Sequence, residues 1–303
     1  MNTKNSLSRT KKKSQKKNKV CENLIICCAG DGSLHLESCV DFHTCVMYYG
    51  KDEMIGKKYK EKCNYFFEMK GCKWQLVAHA IQSLVDTGDY SKYTYVWLPD
   101  DDISCSNEKA VRLFDAMRVL KCDIGQPSVC PPNVPRKGIL GGVSIKSGKI
   151  YIKPWIKKDD LKHYVSHYEL LPRDKSSKKV VRYMSNIEVQ CPIFLATFLM
   201  KLYEEVLGNT EVNTEGFICS GWGLEGIWRT MTSKPMALID FIDVVHSRKL
   251  SYYNSDKNYD NFYKVHDNNP WVEMKKLHDM YGKHTGKRIK NVKYYTINSE
   301  TLR

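Results

Sequence analysis

Ser91-Lys92-Tyr93-Thr94-Tyr95-Val96-Trp97-Leu98-Pro99-Asp100-Asp101-Asp102-Ile103 is the stretch on which the reading of this chain turns. Tyr93, Tyr95 and Trp97 alternate with Thr94, Val96 and Leu98, all types that suit a buried strand, and none is charged. Pro99 then stops ladder pairing, and three carboxylates follow in a row. Adjacent acids repel one another, and at the end of a buried strand they need a partner. A divalent cation removes the repulsion best, because hard oxygen ligands suit Mg2+ or Mn2+. A solvated acidic turn that caps the next helix is the other reading these residues leave open.

Working outward, 303 residues suffice for one large α/β domain with a sizeable core. No apolar run approaches the roughly 18 residues of a membrane span. The amino terminus carries charge without the apolar region of a secretory signal. The net charge of +14 is concentrated at the start, where residues 1–20 hold eight Lys or Arg and no acid. Without those eight the charge is +6, mild enough to suit a small anionic substrate as well as a polymer. The composition predicts a disordered basic tail over 1–20, able to touch RNA or another anionic surface. Of the twelve cysteines, Cys27 and Cys28 sit in an apolar run, and Cys191 and Cys219 lie beside apolar elements, as buried free thiols do. With no Cys-x-x-Cys pair, a reducing cytoplasm is expected, that of a microbe or of a virus-infected host.

Residues 23–29 predict a buried first strand that runs into Gly30, Asp31, Gly32 and Ser33, a turn where backbone can approach a ligand closely. Residues 45–49 predict a second strand, and 72–87 a helix with apolar residues at helical spacing and a stop at Gly88. A helix over 107–120 follows the acids, capped by Ser104 or Ser106, and then a short strand over 122–128. Residues 130–185 are broken by Pro and Gly; the His163 and His167 pair there reads as surface. Pro192 predicts the start of an apolar helix that stops at Gly208. Residues 219–228 place Glu225 alone among uncharged neighbours, behind Gly221, Trp222 and Gly223. A strand over 236–245 ends at His246, and 251–303 read as a peripheral extension with a helix at 271–281.

Acids at one strand end, a lone Glu in a Gly-Trp-Gly loop and a His at another strand end converge if the sheet is of the α/β kind, which binds ligands at carboxyl ends of strands. Asp100, Asp102 and His246 make a mixed oxygen and nitrogen ligand set that suits Mn2+ and tolerates Mg2+. Glu225 beside Trp222 in a loop of low polarity is a candidate general base, its pKa raised by desolvation.

These landmarks resemble the glycosyltransferase-A fold, with its D-x-D motif (Asp100, Asp102), acidic base motif (Gly221-Trp222-Gly223-x-Glu225) and carboxy-terminal metal histidine (His246). The wider context resembles a plant-type, glycosyltransferase-like domain of unknown function. It shares the Lys70-Gly71-Cys72-Lys73-Trp74 segment before a helix, the aromatic strand into the acids, and the strand at 124–127. It also shares the acid-to-Phe segment at 188–194, Trp222 to Glu225, and Val245-His246. The six matches stand in order over roughly 24–250. Glu225 replaces the family's usual Asp, and Gly226 stands where many transferases carry a second acid.

The resemblance implies a single-domain, Rossmann-like α/β fold, a central mixed sheet flanked by helices, over 21–250. It implies transfer of a sugar from a nucleotide-sugar donor (UDP or GDP) to a hydroxyl of a glycan or glycoconjugate acceptor, with inversion. Asp102 and His246, with Asp100, would hold Mn2+ or Mg2+. Asp100 would also reach donor hydroxyls, and Gly30 and Asp31 would lie near the nucleotide. Lys73 and Gly223 fall in matched segments and are expected at the substrate, while Asp101 faces either substrate or solvent. Trp222 would stack on a sugar and Glu225 would act as base. A metal-dependent phosphoesterase and a non-catalytic carbohydrate-binding protein are the competing readings; the former calls for a second acidic cluster.

Overall fold

The computed structural model describes residues 22–37, 42–130, 143–146, 149–152, 180–246, 269–289 and 296–301. The expected tail over 1–20, the pair His163 and His167, and most of 130–185 lie outside them. Twelve strands are present among the described residues: β1 (Asn23–Ala29), β2 (His43–Tyr48), β3 (Tyr65–Glu68), β4 (Tyr95–Trp97), β5 (Ile103–Ser104), β6 (Ile124–Cys130), β7 (Val143–Lys146), β8 (Lys149–Ile152), β9 (Val180–Met184), β10 (Ile193–Leu195), β11 (Met236–His246) and β12 (Thr296–Thr301). Six α-helices accompany them among the described residues: α1 (Glu53–Lys62), α2 (Lys73–Asp86), α3 (Asn107–Leu120), α4 (Ala196–Leu202), α5 (Leu224–Met231) and α6 (Pro270–Thr285).

Ten strands form one mixed sheet in the order β12-β9-β11-β6-β10-β4-β1-β2-β3, with β5 paired to β11. β1 runs parallel to β2 and β4, β2 to β3, and β6 to β11. β10 is antiparallel to both β4 and β6, so those two share one direction. The carboxyl ends of β1, β2, β3, β4, β6 and β11 therefore open on one edge of the sheet. The α/β class, with a central mixed sheet flanked by helices, is the one implied by the sequence.

Alternation along the strands builds two cores. From β1, Leu24, Ile26 and Cys28 face a layer holding α2, α4, α5 and α6, while Ile25, Cys27 and Ala29 face α1 and α3. The opening stretch divides likewise: Val96 and Leu98 join the first core, and Tyr95 and Trp97 the second. Buried on both faces, these strands have no polar side to show, which is why they read as continuous apolar runs. The first core also receives Leu277 and Tyr281 of α6, and β12 pairs with β9, so parts of the carboxy-terminal stretch share the main fold.

Two expectations are corrected. Pro192 does not open a helix; Ile193, Phe194 and Leu195 first pair with Trp97, Val96 and Tyr95, and the helix begins at Ala196. The gap between parallel β4 and β6 takes an antiparallel insert there, and sheet pairing overrides the apolar helical spacing. Cys219 is not a free thiol but is joined to Cys72 in a disulfide, across 147 residues of sequence, with the two Cα atoms 5.0 Å apart. Its support for a cytoplasmic setting is removed with it. No described helix is long and apolar enough to cross a membrane.

Candidate active site

The acids sit where β4 ends, and the chain around them is fastened from several sides. Asp100 N–H donates to Gln190 O at 2.7 Å, and Leu98 N–H to Pro192 O at 2.9 Å, so residues 190–192 run beside the turn. β5 then pairs antiparallel with the end of β11, setting Ile103 opposite His246. That register carries the histidine to the acids: His246 Nε2 lies 3.4 Å from Asp102 Oδ2, and both residues are buried.

Asp100 is committed elsewhere. Lys73, in the first turn of α2, places Nζ 2.5 Å from Asp100 Oδ1, 2.7 Å from Val189 O and 3.1 Å from Gln190 O. Burial raises the Asp100 pKa, Asp102 adds to the rise, and Lys73 and His246 oppose it. A partly exposed ion pair of this kind is worth about 0–1 kcal/mol, so what Lys73 provides is position rather than stability. Asp101 accepts from the Tyr49 hydroxyl, and its backbone carbonyl accepts from Leu34 N–H at 2.9 Å and from Ser33 Oγ at 3.3 Å. Gly30 makes this possible: a Cβ there would meet the Tyr49 ring at 2.6 Å. Asp31 is used up within the protein, since it accepts from the Tyr48 hydroxyl and from Lys51 N–H and Asp52 N–H. The Tyr48 hydroxyl first, then those amides, lower its pKa.

Glu225 stands in the first turn of α5, buried, with Oε2 accepting from Gly223 N–H at 2.9 Å. Burial, then the nearby Glu188 carboxylate, push its pKa up to about 8. The loop before it is held hard. The disulfide ties it to the start of α2, and Gln75 Nε2 donates to Gly216 O at 2.8 Å. Gly221, at φ +76°, lies so close to Trp74 that a Cβ would meet its Nε1 at 2.0 Å. From α6, Glu273 accepts from Ser220 N–H at 3.0 Å and Gly221 N–H at 2.8 Å, and His278 Nε2 lies 2.9 Å from Gly223 O. Trp222 is half-buried, its ring meeting Trp271 edge-on, with centroids 5.1 Å apart at 87°.

Asp102 and His246 are close enough for one cation to touch both at about 2.1 Å, and Mg2+ is commonly held by one or two protein ligands with substrate phosphates completing its shell. Among the described residues no group of three or more His, Cys, Asp or Glu is assembled around one point. His35 Nε2 is buried without a protein partner, as are both side-chain atoms of Asn186, two residues before Glu188. Burial lowers the His35 pKa to about 4, against the pull of Asp101 and the backbone of Asp100. The neutral imidazole beside Asp100 and Asp101 is a group a polar ligand would satisfy.

No protein-family model matches this chain, and no curated protein sequence does. Among solved structures, S. aureus TarS residues 1–349 in complex with UDP superimposes at a TM-score of 0.42 and 10% identity, covering 88% of this chain and 72% of that one. The same segment of TarS in complex with UDP-GlcNAc gives 0.43 and 11%, covering 88% and 73%. GalNAc-T7 with UDP, GalNAc and Mn2+ gives 0.44 and 11%, covering 89% of this chain and 57% of that one. At these scores function is read from this chain's own residues.

Sequence reasoning missed Tyr49, His35 and Glu273, which shape the site from outside the quoted motifs and are brought to it only by the fold. Glu188 opens the quoted acid-to-Phe segment, but its sequence context carried no role for it.

Proposed function

We propose that the chain is a metal-dependent glycosyltransferase that moves a sugar from a UDP- or GDP-sugar to an acceptor hydroxyl on a glycan or glycoconjugate, with inversion. The observation that carries this reading is the meeting of Asp102 and His246 at 3.4 Å on the carboxyl edge of the sheet. The raised pKa of Glu225 in a clamped loop supports it.

In this account Asp102 and His246 would hold Mn2+ or Mg2+, which would offset charge on the departing diphosphate. Asp100, steadied by Lys73, orients donor hydroxyls, and Trp222 presents an apolar face to a sugar. The turn at 30–33 backs the acids and would lie near the nucleotide, with Gly30 admitting Tyr49 and Asp31 bracing the neighbouring loop. Glu225 takes the proton from the acceptor hydroxyl as its oxygen bonds to the anomeric carbon and the bond to the diphosphate breaks. Burial excludes water from the base, and a pKa near working pH suits proton transfer. The basic tail is assigned to anionic surfaces.

Thermal unfolding with UDP or GDP, with and without Mn2+, tests the binding half of this reading. The account expects the midpoint to rise when nucleotide and metal are both present, and the rise to vanish in Asp102→Asn. No shift with either nucleotide would sink it.

A further inference from the structure

Among the exposed large apolar residues of the described chain, Trp271 is the one aromatic, 64% exposed at the start of α6 beside Val272 at 63%. Its position is fixed. Asn269 caps the helix by accepting from Trp271 N–H at 2.9 Å and Val272 N–H at 3.3 Å, and Pro270 sets the first turn. One face of α6, through Met274 and His278, lies against Gly223, where a Cβ would meet Met274 Cγ and Nε2 of His278, each at 2.9 Å. Glu273 binds the amides of the same loop. An exposed indole is thus held rigidly against the loop that bears Glu225, with Trp222 perpendicular to it.

We propose that Trp222 and Trp271 form an aromatic corner that seats a pyranose ring of the acceptor, so that the acceptor is itself a glycan. The identification as the acceptor's site rests on the transferase reading; the capacity to bind a sugar does not. A pyranose has one face of C–H groups bounded by hydroxyls, and an indole offers a flat apolar face of matching size. The exposed residues that follow along α6, Lys275, Lys276 and Asp279, are charged. A stable protein interface uses about 20–30 residues a side, whereas two adjoining indoles offer the area of one or two sugar rings. The corner also lies on the side of the base: Trp222 is three residues from Glu225, whereas the donor's diphosphate is assigned to Asp102 and His246.

Saturation-transfer NMR with the full chain and millimolar cellobiose, lactose, chitobiose and mannobiose tests this. At least one disaccharide is expected to take up saturation on the C–H protons of one ring face. Trp271→Ala should weaken that binding about tenfold, and Trp271→Phe, which keeps a ring, should retain most of it. An exposed position makes both variants safe to fold. Failure of every disaccharide to bind, or equal binding by Trp271→Ala, would overturn the platform. Release of nucleoside diphosphate from sugar nucleotides is scored separately: without it the transferase reading fails, while the NMR titration still decides whether the corner holds a sugar.

Discussion

Glu225 is the residue whose chemistry is most exposed to test. As a base it must be unprotonated, and its pKa is pushed up to about 8, first by burial and then by Glu188. Turnover should therefore climb as pH rises through about 8, read from kcat/KM in a pH series, and Glu225→Gln should lower kcat by about 10²–10⁴. Stability runs the other way. The buried carboxyl holds its proton more tightly than in the unfolded chain, so its stabilising share is full below about 4.5, the ordinary value, and is lost as pH climbs through about 8. Denaturant midpoints should fall over that window, and the fall should be smaller in Glu225→Gln. Asp102, Glu225 and His246 stood out in the sequence because each is a polar residue next to apolar ones. What the acids touch was not legible there. Asp100 pairs with Lys73 and Asp101 with Tyr49, partners that lie 27 and 52 positions away.

Among the elements, the loop at 216–225 matters most, because α2, α5 and α6 all meet on it. Cys72 caps α2 and is bonded to Cys219, so the same disulfide steadies Lys73 and the approach to Glu225. Replacing both cysteines by Ser should cost about 2–5 kcal/mol, measured by denaturant unfolding, and chemical reduction should lower activity in parallel. Gly221→Ala meets two obstacles, a φ of +76° and the indole of Trp74. It should displace the loop and remove turnover, while the thermal shift from UDP and Mn2+, assigned to Asp102 and His246, persists. At this scale the sequence marked β1, β2, β4, β6, β11 and the helices α2, α3 and α6 within a few residues, and left α1, α5 and the short strands β3, β5 and β9 unread. The apolar periodicity of α2 and α3 follows from burial of one helix face, and the apolar run of β11 from burial on both faces of the sheet. The disulfide and β10 were hidden, since both depend on which segments lie side by side after folding.

For the molecule as a whole, one sheet carries both cores, and its interior contains a charged pair. Arg182 of β9 meets Asp240 of β11 through two bonds, Nε to Oδ2 at 2.6 Å and a second guanidinium nitrogen to Oδ1 at 2.7 Å, with Ser128 Oγ of β6 adding a third at 3.1 Å. Both side chains are buried. Removing one partner strands the other, so Arg182→Leu should cost about 3–5 kcal/mol in unfolding experiments. This pair staples strands on the side of the sheet away from β1, in the part where sequence patterning was weakest. Sugar transfer is the activity proposed for this sheet's carboxyl edge. Incubating the chain with a panel of UDP- and GDP-sugars, disaccharide acceptors and Mn2+, and measuring nucleoside diphosphate, tests it most directly. The account predicts release with at least one donor, dependent on metal, on Asp102 and on Glu225. No release from any donor, or full release by Asp102→Asn, would contradict it.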